Sequence, residues 1–465
     1  LYQAALAVYE TEQGEYLVAN AAYLLAISNN TNSGFSSYMG VTATEADKVI
    51  RWIRGEDVSG YRTRLIDWTD DSVVNPLPWI LGDIIHSTPA VVGPPAKRYD
   101  ITNNDNSYTD FVDKYIGRRH VIYVGGNDGM LHAFNGGFWN DSTKSYETGS
   151  PAHPLGSELW AYVPKATLPH LQWLTDVGYS HSYYVDGEPV SFDANVFDAD
   201  SDHPNGWGTV LVVGMRFGGG EQTISISGSN EDFRSSYIVM DVTNPEVPPK
   251  LLAEISHPDL GFTTSKPTVI KRRVAALDVA SVADWSLTPT NNNWYLVFGS
   301  GPNDVGGSEG LAEAESGQKA KIFVYDLIGK DFVTGLVGVN ATTDSTSYVG
   351  DITAVDYDDD YADDAIYFGT VDSTVPSGTP AVSGNLKRMV LSGDAFGLTN
   401  ASTISTFVDT NQPIVAAPYH IEDTDGKNWI YSGTGRLHVN DDNITTDQQS
   451  FYGVKEPVDG NGDKT

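Results

Sequence analysis

The stretch VIYVGGNDGMLHAFN at residues 121–135 holds two apolar runs separated by GNDGM. The first run, VIYVG, is rich in β-branched and aromatic residues and ends in glycine, and the second is LHAFN. Such runs favour short strands, and the glycine permits a tight hairpin or a close backbone approach at the strand end. The stretch therefore predicts two neighbouring strands.

The same arrangement recurs along the chain. Runs that end in glycine occur at VIYVG (121–125), VLVVG (210–214), YLVFG (295–299), AIYFG (365–369) and WIYSG (429–433). Second runs follow most of them, at LHAFN (131–135), YIVMD (237–241), IFVYD (322–326) and KRMVL (387–391). Proline-containing runs precede several, at STPAVV (87–92), SKPTVI (265–270) and AAPYHI (416–421).

Each repeat predicts one antiparallel sheet that cannot bury its faces alone. Radial stacking of such sheets covers those faces, which indicates an all-β fold of the β-propeller type. The final glycines of successive runs lie 64 to 89 residues apart, so each blade must carry loop insertions. An array of β-sandwiches is the structural alternative.

The composition narrows the possible partners. The chain has 465 residues, 61 acidic against 28 basic side chains and a formal charge of −33. This charge repels nucleic acid and anionic lipid and attracts divalent cations. The chain contains no cysteine, which excludes disulfides and thiolate metal sites. No stretch reaches the roughly 20 apolar residues of a membrane span, so we expect no direct membrane insertion.

The N-terminal part differs from the rest. Thr42 and Glu45 form a capping box, apolar residues follow at helical spacing up to Ile53, and Gly55 ends the pattern. This predicts a helix over about 42–54, and another is expected within 1–30. We expect an N-terminal segment at 1–80, a propeller at 81–456 and a polar tail at 457–465, in a piece of a longer protein.

Several longer motifs resemble the PilY-type type IV pilus assembly and tip-associated adhesin family, in the order in which they occur there. They cover about 46–456 and are VIRWIRGED (49–57), LGDIIHSTPAVVG (81–93), YVGGNDGMLHAFN (123–135), SELWAYVP (157–164), YSHSYYVDGEP (179–189), QPIVAAPY (412–419), WIYSGTGR (429–436) and QSFYGVKE (449–456). The resemblance implies a modified, seven-bladed C-terminal propeller on the outer surface of a Gram-negative bacterium. It also implies a missing N-terminal adhesive module that contacts a surface or host ligand.

An acidic loop carries the strongest chemical signal. Counting Asp356 as position 1, carboxylates stand at positions 1, 3, 5 and 9, namely Asp356, Asp358, Asp360 and Asp364, and Ala362 can offer its carbonyl. This spacing is like that of an EF-hand, which supplies the hard oxygen ligands that Ca²⁺ prefers. The resemblance implies one Ca²⁺ at the same residues.

The loop departs from the EF-hand pattern at two positions. Tyr361 stands where glycine is preferred, and Tyr367 stands at position 12, where an EF-hand has glutamate. Asp359 and Asp363 fall between the ligand positions and are expected to face water. A solvated acidic loop is the alternative, but carboxylates about 5 Å apart repel by roughly 3 kcal/mol per pair at an effective dielectric near 20.

Three further acidic motifs are weaker candidates. Asp198, Asp200 and Asp202 have the same initial spacing, but an acidic hairpin insertion is favoured over a second Ca²⁺. A set at Asp459, Asn461 and Asp463 lacks a ninth position, and Asp423 is typical of a turn. His132 lies among apolar neighbours, which favours a hydrogen-bonded core residue.

The sequence predicts no catalysis. A G-x-S-x-G match at 306–310 lies in a Gly-rich loop without the strand-to-helix context of a hydrolase. The resemblance implies a role in pilus extension against retraction and in adhesion, with pilins, minor pilins and other pilus assembly components as partners. The alternative is a quinoprotein dehydrogenase that uses pyrroloquinoline quinone, but such enzymes resemble one another in a vicinal-cysteine disulfide that this chain lacks.

Overall fold

The computed structural model describes residues 33–66, 77–103, 105–149, 153–273, 292–303, 314–357, 362–374, 381–391, 403–444 and 446–457. The chain divides into two units. The first comprises Leu1–Pro95, Lys114–Ser191 and Thr209–Ser256. The second comprises Ala96–Asp113, Phe192–Gly208 and His257–Thr465. Sequence positions 1–32 and the match at 306–310 lie outside the described residues.

Helices α1 (Ser33–Met39) and α2 (Ala43–Ile53) open the described part of the first unit. The Thr42 hydroxyl accepts a hydrogen bond from the Glu45 amide at 3.2 Å, and Gly55 has a φ of +98° after the last turn. The predicted helix is therefore confirmed, with both of its end signals. Its apolar face packs with a 3₁₀ helix at Lys165–Thr175 in one buried cluster.

Strands that lie wholly or partly in the first unit form two larger sheets and two hairpins. The hairpins pair β1 (Leu65–Ile66) with β2 (Leu77–Pro78), and β10 (Gln222–Ile226) with β11 (Ser229–Phe233). One sheet has β3 (Ala90–Val92), β4 (His120–Gly125), β5 (Leu131–Asn140) and β6 (Ser145–Glu147), with β7 (Glu158–Tyr162) also paired to β5. The other has the order β13-β12-β9-β8, from β8 (Val190–Asn195), β9 (Trp207–Gly214), β12 (Tyr237–Asp241) and β13 (Lys250–Ile255).

The second unit contains three sheets, helix α3 (Tyr99–Thr102) and most of helix α4 (Asn106–Tyr115), whose last two residues belong to the first unit. Its first sheet has β14 (Thr268–Arg273), β15 (Asn292–Gly299), β16 (Lys321–Asp326), β17 (Asp331–Phe332) and β18 (Val339–Asn340). The next has β19 (Ser347–Val355), β20 (Ala365–Thr374), β21 (Ala381–Ser383), β22 (Leu386–Val390) and β23 (Thr403–Val408). The last has β24 (Tyr419–Glu422), β25 (Asn428–Gly433) and β26 (Phe451–Lys455).

The five glycine-ended runs occupy equivalent places. They lie in β4, β9, β15, β20 and β25, the second strand in chain order of each sheet. The second runs lie in β5, β12, β16 and β22. The strand repeat is thus confirmed, and the described residues contain five such sheets; the count of seven blades and the boundaries at 80 and 456 stay predictions.

Glycine is required in several of these runs because another part of the chain passes close by, at the end of β4 and in the middle of β20. A Cβ at Gly125 would lie 2.1 Å from the Val185 carbonyl oxygen, and one at Gly369 would lie 2.3 Å from that of Ile414. At Gly433 the nearest atom would be 3.7 Å away, on the Phe451 ring. The predicted close backbone approach is confirmed at Gly125 and Gly369.

Candidate metal centre

The acidic loop connects two paired strands of the second unit. Val355, the last residue of β19, pairs with Ala365, the first of β20. The Asp364 amide donates to the Val355 carbonyl at 2.8 Å, and the Leu391 amide donates to the Asp364 carbonyl at 2.7 Å. This ladder sets positions 1 and 9 of the loop opposite each other at its stem.

The Asp364 side chain is held towards the start of the loop. Its Oδ2 accepts a hydrogen bond from the Tyr357 amide at 2.7 Å. Asp356, Ala362 and Asp364 are all half-buried, so they are neither locked in the core nor fully solvated. Two of the five predicted ligands, Asp356 and Asp364, thus lie opposite each other at the stem, and carboxylate oxygens are the donors that a hard cation prefers.

The other two predicted ligands, Asp358 and Asp360, lie outside the described residues, as do Asp359 and Tyr361. Within the described ranges, no group of three or more histidine, aspartate or glutamate side chains has the geometry to hold a metal ion. The Ca²⁺ site and its ligand set therefore stay predictions.

The prediction that Asp363 faces water is wrong. The residue is only 7% exposed, and its Oδ2 accepts a hydrogen bond from the Lys271 amide at 2.7 Å. Its own amide donates to the Lys271 carbonyl at 3.0 Å, and its carbonyl accepts from Arg272 Nη1 at 2.8 Å. Asp363 therefore anchors the loop to the end of β14, a contact that spacing within the loop cannot reveal.

Tyr367, at position 12 of the EF-hand count, belongs to the core. It is fully buried, and its hydroxyl contacts the Tyr357 hydroxyl and donates to Glu456 Oε2 at 2.5 Å. Burial and these neighbours raise the pKa of the Tyr367 hydroxyl. Glu456 is itself 3% exposed and pairs with Arg388. A continuous polar chain thus links the loop to the residue that follows β26.

With this geometry established, the chain can be compared with known proteins. A family model described as the PilY1 beta-propeller domain matches residues 81–463. The chain belongs to the PilY1 beta-propeller domain family. This confirms the resemblance and the β-propeller fold.

Two PilY1 relatives are similar in sequence. A type IV pilus biogenesis factor PilY1 homolog of Xylella fastidiosa is 29% identical over 384 residues, covering 81% of this chain and 24% of that protein. The type IV pilus biogenesis factor PilY1 of Pseudomonas aeruginosa is 31% identical over 277 residues, covering 56% of this chain and 18% of that protein. The chain therefore spans about a quarter or less of the length of these relatives.

One solved structure is also similar. The crystal structure of the Pseudomonas aeruginosa PilY1 C-terminal domain matches with a TM-score of 0.48 and 23% identity. The match covers 79% of this chain and 64% of that one. No helix among the described residues of this PilY1 family member is long and apolar enough to cross a membrane.

The weaker acidic candidates of this PilY1-type chain serve as turns where the structure describes them. Asp200 Oδ1 accepts from the Asp202 and His203 amides at 2.8 and 2.7 Å and contacts the His203 ring. Asp423 accepts from the Asp425 and Lys427 amides, both at 2.9 Å, which confirms the predicted turn. Asp459, Asn461 and Asp463 lie outside the described residues.

His132 is confirmed as a core residue, but its partners were not predicted. Its Nδ1 contacts Glu158 at 2.6 Å and its Nε2 contacts Asp128 at 3.1 Å, with the ring 2% exposed. Burial opposes a charge on the imidazole, but the two carboxylates outweigh it and raise the pKa of His132 to about 10. Because Glu158 lies on another strand, β7, no local motif signals this cluster.

Proposed function

We propose that this chain is the calcium-binding, non-catalytic propeller of a type IV pilus biogenesis factor at the surface of a Gram-negative bacterium. The carrying observation is the loop stem, where Asp364 closes on the amide after Asp356, within a chain that belongs to the PilY1 propeller family. The names of the relatives support the pilus role, since both are type IV pilus biogenesis factors.

Calcium would act by ordering the loop. A ligand present at a thousand times its Kd stabilises the bound conformation by about 4 kcal/mol. The loop is joined to β14 through Asp363 and to the end of β26 through the Tyr357–Tyr367–Glu456 contacts. Ordering it would therefore bias two other segments of the second unit, which gives calcium a route to a partner-binding surface.

Pilins, minor pilins and other assembly components are the proposed partners, and the balance of pilus extension against retraction is the proposed output. Adhesion to a surface or host ligand would belong to a module outside this chain. The charge of −33 disfavours nucleic acid as a partner.

The proposal is tested in the bacterium that encodes this chain, with the full-length protein. Asp364→Ala should change the number of surface pili per cell and the rate of pilus-driven motility. Asp359→Ala, in the same loop but between ligand positions, should leave both at the wild-type level. Equal piliation in the wild type, Asp364→Ala and a strain that lacks the whole gene would contradict the proposed role.

A further inference from the structure

A cleft of about 400 Å³ lies in the first unit, on elements that the calcium proposal does not involve. Its walls come from the end of α2, from the β1–β2 hairpin and from the segment that follows β2. Trp52, Arg62, Arg64, Trp79, Asp83 and Leu174 are among its lining residues. The cleft therefore combines apolar walls with charges of both signs.

Arg62 is fixed in place by contacts other than an ion pair. Its guanidinium lies 4.2 Å from the centre of the Tyr179 ring and 5.3 Å from that of Trp52. Its Nε donates to the Leu174 carbonyl at 3.0 Å, and its amide donates to Thr175 at 2.8 Å. Guanidinium groups held over aromatic rings in this way keep their terminal N–H groups available for a planar anion.

Arg62 has no carboxylate partner among the described residues, in a chain that is rich in carboxylates. Acidic residues outnumber basic ones by 61 to 28. Two other arginines with little exposure pair with carboxylates, Arg119 with Glu246 and Arg436 with Asp442, whereas the buried Arg118 donates to carbonyls and to a hydroxyl. Among the described residues, no carboxylate lies within ion-pair distance of Arg62. No negative charge from this part of the chain therefore pairs with its guanidinium.

A second guanidinium adds to the positive end of the cleft. Arg64 lies 3.6 Å from the centre of the Trp52 ring, and its Nη2 donates to the Trp52 carbonyl. At another wall, Asp83 Oδ2 accepts from Asn127 at 3.1 Å and contacts His181 at 2.8 Å. The cleft is thus electrostatically polar, which orients a ligand that carries a negative group.

The rim indicates what kind of molecule carries that group. Leu65, Ile66 and Trp79 are 38%, 43% and 48% exposed, so apolar surface continues outward from the cleft. A small anion would leave this surface in water, whereas a polypeptide segment with apolar side chains beside an acidic one would cover it. The charge and the rim therefore favour the same ligand.

We propose that this cleft binds an acidic residue of a partner polypeptide, with its carboxylate paired to Arg62 and its apolar neighbours packed on the rim. Only the assignment of that partner to the pilus rests on the proposed function. The recognition itself is a property of the first unit, so it can be measured on the purified chain without pili and without calcium.

The test uses two probe peptides, acetyl-Ala-Leu-Glu-Leu-Ala-amide and its Gln counterpart, titrated into the purified chain by calorimetry with ligand-observed NMR as a second readout. The Glu peptide should bind with a Kd of roughly 1 mM or tighter, and the Gln peptide at least about tenfold more weakly, because charge-assisted hydrogen bonds are the stronger kind. Raising the salt concentration should weaken binding of the Glu peptide.

Arg62→Gln should weaken binding of the Glu peptide by at least about tenfold, and Arg62→Lys should restore part of it. Arg98→Gln is the matched control, because Arg98 is an exposed arginine paired with Asp100. Thermal unfolding of each variant shows whether it folds. The proposal is overturned if the wild type binds neither peptide, if both peptides bind equally, or if folded Arg62→Gln binds like the wild type. Such a failure would leave the piliation test unaffected.

Discussion

Asp363 tests how the acidic loop is attached to the rest of the second unit. Its position in the sequence predicts a solvated side chain, whereas in the structure its carboxylate holds the loop against the end of β14. In Asp363→Ala the carboxylate that accepts from the Lys271 amide at 2.7 Å is lost at a site only 7% exposed. The two backbone hydrogen bonds of residue 363, with Lys271 and Arg272, do not depend on the side chain and should persist.

The size of the expected effect is worked out from the loss of that hydrogen bond. A hydrogen bond to a charged group contributes about 1.5–3 kcal/mol, and Asp363→Ala removes one such bond, from the Lys271 amide. For a unit of this size, about 1 kcal/mol shifts the Tm by roughly 2–4 °C. Asp363→Ala should therefore lower the Tm of the second unit by about 3–12 °C.

Differential scanning calorimetry in excess chelator measures this effect without a contribution from bound calcium. Asp363→Asn is the matched control, since its amide oxygen can still accept from Lys271, and it should recover part of the lost stability. A Tm for Asp363→Ala within about 1 °C of the wild type would refute the anchoring role.

Three further predictions concern the rest of the chain. Gly369→Ala should lower the free energy of unfolding by about 1–3 kcal/mol in denaturant titrations, because its Cβ would lie 2.3 Å from a backbone oxygen. Gly433→Ala should lower that free energy far less. Equal effects of the two substitutions would contradict the close approach at Gly369. The folded pKa of His132 is raised to about 10, so its stabilising charge is fully present below the unfolded pKa near 6.5 and is lost as pH rises through about 10. The Tm difference between the wild type and His132→Gln should therefore shrink from pH 6.5 to 10, and a constant difference would refute this assignment. Finally, the purified chain should show no quinone-dependent alcohol oxidation and no glycoside hydrolysis; turnover above background in either assay would contradict a non-catalytic propeller.

The repeated strands were predictable because their signal is local. Each strand carries β-branched and aromatic residues, and Gly369 ends its run because a neighbouring backbone leaves no room for a side chain. The helix over Ala43–Ile53 was predictable for the same reason, since Thr42 and Gly55 mark its ends within a few residues.

The chemistry of the sites was harder to predict from the sequence because it depends in part on contacts between segments that are far apart in the chain. Asp363 accepts a hydrogen bond from the Lys271 amide, 92 positions earlier in the chain. The alternation of ligand and non-ligand positions within the loop therefore predicted the wrong orientation for its side chain. The pKa of His132 is raised by Asp128, four positions earlier, and also by Glu158, 26 positions later, and only the first of these contacts is local. Arg62 lines a cleft together with Leu174, and no motif joins those two positions.

Calcium titration calorimetry on three forms of the chain tests the central claim most directly. The wild type should bind one Ca²⁺ with a Kd between about 10⁻⁷ and 10⁻⁴ M. Asp364→Ala should weaken that binding most, because it removes the carboxylate that closes the loop stem, and Asp359→Ala should change it little. A wild type that binds no calcium, or binding that survives in Asp364→Ala and is abolished in Asp359→Ala, would contradict the assignment.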